Sequence, residues 1–124
     1  MKEVLKLISK SRVMLYVHDV DQMATFWTEE LQTTIVETMA LPAGYHGQVI
    51  KISDEFELVL FPKEFAQKYS PEVPTTTPSL MFYSNRFEQM HKIISTAGEI
   101  TDNNGTATFN FHDPEGNYFV MAKA

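Results

Sequence analysis

The sequence predicts an α+β fold built from two βαβββ modules within one domain spanning residues 1–124. Three observations predict it. A strand, a capped amphipathic helix and three further strands occur twice in the same order, a repeat of about 55–65 residues. A proline-rich stretch separates the two copies. The composition, 44% hydrophobic and 21% charged, is that of a folded protein with enough apolar surface to offset ordering entropy.

The first module spans about residues 10–61. Arg12–Val17 is apolar and rich in strand formers, as a buried strand requires. Asp19 followed by Gln22 forms a capping box that opens a helix. Met23, Phe26, Trp27 and Leu31 fall on one face of that helix, which ends near Gln32. Trp27 is expected to pack on the outer face of the sheet. Ile35–Leu41, Gln48–Ser53 and Phe56–Phe61 read as strands, separated by the Pro42–Gly47 loop and by Asp54-Glu55.

Four of the six prolines lie in the connector, residues 62–78, with one helical turn expected at Lys63–Tyr69. Phe61, Phe65 and Tyr69 around it form either an apolar patch suited to a dimer interface or ordinary connector packing. The second module, residues 79–124, opens with a strand at Leu80–Ser84 and a second capping box, Asn85 and Glu88. Phe87, Met90, Ile94 and Ala97 line a helix face, with Gly98 as its C-terminal cap. After Ile100-Thr101, the Asn104-Gly105 step signals a hairpin into the alternating strand Thr106–Phe111. Asp113-Pro114-Glu115-Gly116-Asn117 turns the chain into the last strand, Tyr118–Lys123.

Several function classes are excluded early. Ten basic against sixteen acidic residues give a net charge of −6, and the basic ones are scattered singly, so nucleic acid is not an expected partner. No apolar run approaches the roughly 18–20 residues that span a bilayer, and Met1–Ile8 lacks the pattern of a signal peptide. The absence of cysteine removes disulfides, thiol nucleophiles and thiolate metal sites, and it suits a reducing cytoplasm. No phosphate-binding glycine loop or nucleophile motif is present.

The duplicated order, Val17-His18-Asp19-Val20-Asp21 leading into Phe26-Trp27 and Leu31, and the Asp-Pro-x-Gly-Asn turn at residues 113–117 together resemble the vicinal oxygen chelate superfamily. That superfamily includes glyoxalase I, bleomycin- and fosfomycin-resistance proteins and extradiol dioxygenases, and the resemblance covers about residues 10–122. It implies that each module curls into half of an open barrel, that the pair encloses a cavity, and that two chains associate as a homodimer.

Metal-dependent members hold one divalent ion with side chains from the first and last strands of each module. By the family's spacing those positions fall here on Arg12, Ser79 and Val120, with Glu57 as the carboxylate available for the fourth. A divalent ion needs three or four N or O donors at about 2.0–2.3 Å. Arginine repels it, valine has no donor and serine is a weak ligand. The resemblance therefore implies a chain with no metal and no cofactor. His18, His46, His91 and His112 show no i, i+2 or i, i+4 spacing to one another, so they read as exposed or singly hydrogen-bonded; Tyr45-His46 lies on a loop able to overhang the cavity.

Side chains alternate along a strand, so Met14 and Tyr16 share a face with Arg12, Met81 and Tyr83 with Ser79, and Tyr118 with Val120. If the family's ligand positions face the cavity, these residues line it with soft, aromatic surface suited to flat organic molecules, or simply fill it. An inward Arg12 must meet a carboxylate, Glu57, or an anionic ligand, because an unpaired buried charge costs several kcal/mol. Two functions follow from the resemblance. One is stoichiometric binding of a small organic molecule. The other is an enzyme of the lyase, isomerase or dioxygenase type using acid–base groups among Glu57, Tyr16, Tyr83 and His46.

Overall fold

The computed structural model describes residues 7–124; of the opening stretch read above as no signal peptide, residues 1–6 lie outside the described residues. The first module contains β1 (Ser11–Val17), α1 (Val20–Glu29), β2 (Thr34–Ala40), a 3₁₀ turn at Pro42–Gly44, β3 (His46–Ser53) and β4 (Phe56–Pro62). A short helix, α2 (Lys63–Tyr69), occupies the connector where one helical turn was expected. The second module contains β5 (Met81–Ser84), α3 (Phe87–Ile93), β6 (Thr101–Asn103), β7 (Thr106–His112) and β8 (Tyr118–Lys123). The fold is α+β, as expected: two four-stranded mixed sheets of matching order, β1-β4-β3-β2 and β5-β8-β7-β6, neither of them a closed barrel. In each, the first strand pairs in parallel with the last, a pairing that needs a crossover, and the helix supplies it. No helix among the described residues is long and apolar enough to cross a membrane.

The first cap forms as expected on one side only. The Asp19 side chain accepts from Gln22 N at 3.0 Å, but Asp19 N does not turn back to Gln22. It donates to Glu115 Oε2 at 2.7 Å, and His18 N donates to the same carboxylate at 2.9 Å. The start of α1 is thus latched to the turn before β8, about a hundred residues away in sequence. That turn is braced by buried Asp113, whose Oδ1 accepts from Glu115 N and Asn117 N at 3.0 and 2.9 Å. Gly116 takes φ +81° there, a conformation open to glycine at little cost.

The second capping box does not form. The N-cap is Arg86, whose N–H donates to Ser84 Oγ, while Glu88 pairs with Lys123 at 2.9 Å. The helix also ends at Ile93, well before Gly98. Competing partners explain the early stop. Ser95 N donates to Glu30 Oε1, Thr96 Oγ1 exchanges hydrogen bonds with His112 O and N, and Gly98 N donates to Asn110 O. Residues 95–98 are drawn onto α1 and β7, and a helical backbone cannot make those bonds. Ile94 is nevertheless buried, so the apolar period tracked burial rather than helix.

One hydrophobic core joins the modules. It holds Leu15, Ile50, Leu58 and Leu60 from the first sheet, Phe109, Phe111, Phe119 and Met121 from the second, and the apolar faces of α1 and α3. Trp27, expected on the outer face of a sheet, packs on the sheet of the other module, its ring 5.7 Å from Phe82, 6.4 Å from Phe111 and 5.4 Å from Phe119. Phe61 and Phe65 are taken up by packing within the connector, with ring centroids 5.7 Å apart.

Glu115→Ala removes the acceptor of two backbone donors at the start of α1. It is expected to lower stability by about 1–2 kcal/mol, less than a buried charged hydrogen bond because the site is partly solvated. Urea unfolding measures it; a change in midpoint without a change in slope is the expected form.

Candidate functional site

With one face of each sheet turned into the core, alternation turns the other face outward. The residues singled out from the sequence lie on these outward faces, four on the first sheet and the rest on or beside the second. Arg12 stands opposite Glu57 across the parallel β1–β4 pair. Arg12 Nε donates to Glu57 Oε1 at 2.7 Å, and its Nη2 lies 3.3 Å from Glu37 Oε1 on β2. Since β2 is the far strand of the sheet, the guanidinium reaches over β4 and β3. Lys10 Nζ adds a second cation 3.4 Å from Glu57 Oε1. Glu57 is buried, and its carboxyl is held below the usual range chiefly by the Arg12 hydrogen bond, against the opposing effect of burial. Arg12 in turn is pushed up by the same bond.

Arg12 thus forms an ion pair with Glu57. Farther along the same face, Met14 pairs in register with Val59, and Tyr16 with Phe61, against which its ring packs edge-on at 5.8 Å.

On the second sheet, Ser79, Tyr118 and Val120 line a shallow cavity of about 280 Å³ together with Asn110. Ser79 precedes β5 rather than lying within it. Met81, in register with Val120, and Tyr83 line a neighbouring cavity of about 420 Å³ beside Ile52, Ser53 and Phe56. Neither cavity takes a side chain from Arg12, Met14, Tyr16 or Glu57. The structure therefore brings the predicted residues together in two sets, one per sheet. The second set is strongly exposed: Met81 45%, Tyr83 66% and Tyr118 64%.

The residues at the positions where the sequence resemblance expects metal ligands do not have the chemistry of a divalent-ion donor set. Arg12 places a permanent cation at one ligand position, the Glu57 carboxylate is engaged by two cations, and Val120 offers no donor. Among the described residues no three His, Asp or Glu side chains come together as a cation requires.

Sequence reasoning missed one feature. A cavity of about 320 Å³ lies where β1 meets α1, lined by His18, Asp21, Tyr45, His46 and Glu64. His46, which begins β3, sits with Nε2 2.7 Å from Asp21 Oδ1, and His18 Nδ1 lies 2.6 Å from Glu64 Oε1. The His18 contact holds the Glu64 carboxyl below its usual range. A carboxylate on one ring nitrogen sets which tautomer the imidazole adopts. No local spacing links these partners, which are 25 and 46 residues apart, so no motif marked them. His91 and His112 are bonded to the Gly98 and Asp113 carbonyls, in keeping with the singly hydrogen-bonded role read for them.

The lowered Glu57 carboxyl has a definite sign. Its contribution to stability is present above the unfolded value of about 4.3 and is lost as pH falls through the lower folded value. Glu57→Gln is therefore expected to be less stable than the parent near neutrality, the gap closing below about pH 4. Urea midpoints measured from pH 6 to pH 3 test it; a gap that persists at pH 3 contradicts the ion-pair account.

No family profile and no curated protein matches the chain. Solved structures do. TnmS3, an antibiotic binding protein from Streptomyces sp. CB03234, superposes with a TM-score of 0.74 at 13% identity, over 98% of each chain. A member of the glyoxalase/bleomycin resistance protein/dioxygenase superfamily from Sphaerobacter thermophilus does so at 0.74 and 14%, over 93% of this chain and 96% of that one. Lactoylglutathione lyase from Agrobacterium tumefaciens does so at 0.68 and 17%, over 91% of each. At such identities the likeness is one of fold, and that fold serves both a binding protein and an enzyme.

Proposed function

We propose that this chain, which carries the glyoxalase/bleomycin-resistance fold, is a vicinal oxygen chelate superfamily member that binds a small organic molecule without a metal ion. The observation that carries the reading is the Arg12–Glu57 ion pair at 2.7 Å, which stands where the superfamily places metal ligands. A divalent ion there would have to displace both Arg12 and Lys10 from Glu57. The exposed Met81, Tyr83 and Tyr118 support the ligand assignment: thioether and phenol groups give flat apolar contact, and the hydroxyls give orientation. Sixteen acidic against ten basic residues favour a neutral or cationic ligand over an anion.

In this reading the protein works as a homodimer in the cytoplasm, with neither nucleic acid nor membrane as partner. The two sets of site residues lie on separate sheets, so a second copy is what would close a cavity over either. The fold likeness to an antibiotic binding protein is consistent with stoichiometric binding.

A second reading, acid–base catalysis on a small metabolite, draws on the His18–Glu64 and His46–Asp21 pairs around one cavity. It differs in requiring turnover that His46→Gln abolishes.

Elemental analysis after incubation with Zn²⁺, Ni²⁺, Mn²⁺ and Fe²⁺ and desalting is expected to find near-zero metal per chain. One tightly held ion per chain or per dimer overturns the metal-free reading. A thermal-shift screen of neutral and cationic aromatic compounds is expected to yield a ligand whose shift is lost in Tyr118→Ala, with analytical ultracentrifugation reporting a dimer.

A further inference from the structure

We infer that the ligand of the second sheet's outward face is a neutral planar molecule whose edge carries a hydrogen-bond donor beside an acceptor, as a lactam does, and that the Asn110 side chain reads that edge. The inference rests on the small-molecule reading above and names the ligand class of that site.

The two modules carry the argument by comparison. In the first sheet Met14, Val59 and Val49 form one row across β1, β4 and β3. In the second sheet Met81, Val120 and Asn110 form the same row across β5, β8 and β7. Val49 is fully buried, whereas Asn110 is exposed. The fold thus accepts valine at this place in one module, and asparagine is a poor strand former, so sheet stability does not account for it. β7 is moreover an inner strand, lying between β8 and β6. Among the described residues the Asn110 side-chain amide makes no hydrogen bond, while its backbone carbonyl accepts from Gly98 N at 2.8 Å. The amide is free to meet a ligand.

The surroundings select the ligand. Asn110 lines the cavity of about 280 Å³ with Ser79, Tyr118 and Val120, and no charged side chain contributes to its wall, which favours a neutral molecule. Val120 stands directly opposite Asn110, and Tyr118 opposite His112. The Tyr118 ring lies 5.1 Å from the His112 imidazole, whose Nδ1 is 2.8 Å from the Asp113 carbonyl oxygen, so the ring is braced as a flat contact surface. An asparagine amide presents an acceptor and a donor side by side. It therefore bonds in pairs to an edge with the complementary order, as it does to a nucleobase edge.

2-Quinolinone carries such an edge, and N-methyl-2-quinolinone has the same rings with the donor blocked. In calorimetric titrations the parent chain is expected to bind the first at least about tenfold more tightly, the scale of one bidentate amide pair. In ¹⁵N-labelled protein the side-chain resonances of Asn110 are expected to move in step with that binding. Asn110→Asp keeps the outline of the side chain but only accepts hydrogen bonds. It is expected to lose 2-quinolinone and to take protonated 2-aminoquinoline, whose adjacent N–H groups match a carboxylate.

Equal affinities for the two quinolinones in the parent chain, or Asn110 resonances that stay in place, overturn the inference whether or not the variant folds. Equal affinities that Tyr118→Ala abolishes overturn it too, yet leave the small-molecule reading standing. Failure of that reading has a different sign: no aromatic compound then binds in a manner that depends on Tyr118.

Discussion

Trp27 leaves the helix of the first module and packs against Phe82, Phe111 and Phe119 of the second sheet. Through that contact two sheets that share no strand pairing acquire one core. An indole buries more apolar surface than almost any other side chain, and its edge-on contacts with phenylalanine rings add orientation to the attraction. The Glu115 carboxylate reinforces the same joint from the polar side by taking up donors at the start of α1. One contact is apolar, and the other is charged. Together they set both the closeness and the angle of the modules.

The consequence for function is geometric. Once the helices and the inner sheet faces are committed to a common core, the opposite faces have nowhere to turn but outward. The site residues expected from the sequence therefore come to lie on two separate surfaces. On the first, the buried Glu57 carboxylate is paired with Arg12 and Lys10. On the second, the side chains of Met81, Tyr83 and Tyr118 remain exposed.

Much of the candidate site was legible in the sequence. Strand alternation placed Arg12, Met14 and Tyr16 on one face, and Arg12 does meet Glu57 across the β1–β4 pair. The joining of His46 to Asp21 and of His18 to Glu64 was not legible. Those residues are brought together by how β3 and α2 pack around the start of α1, and no periodic pattern encodes that.

By itself the sequence determined the element order, the duplication and the turns. The Asn104-Gly105 step takes φ +52° and +87°, and Gly116 takes +81°, so the hairpin and the final turn were written in residue chemistry alone. Burial was determined too: Ile94 is interior as its spacing required. Where local signals met stronger distant partners, tertiary structure decided. Glu115 took the place of Gln22 in the first capping box, and Lys123 drew Glu88 out of the second. Contacts of Ser95, Thr96 and Gly98 with α1 and β7 ended α3 before its expected cap. A capping bond contributes only about 1 kcal/mol. A partner brought into place by the folded core can match that, and no local pattern names which distant partner it will be.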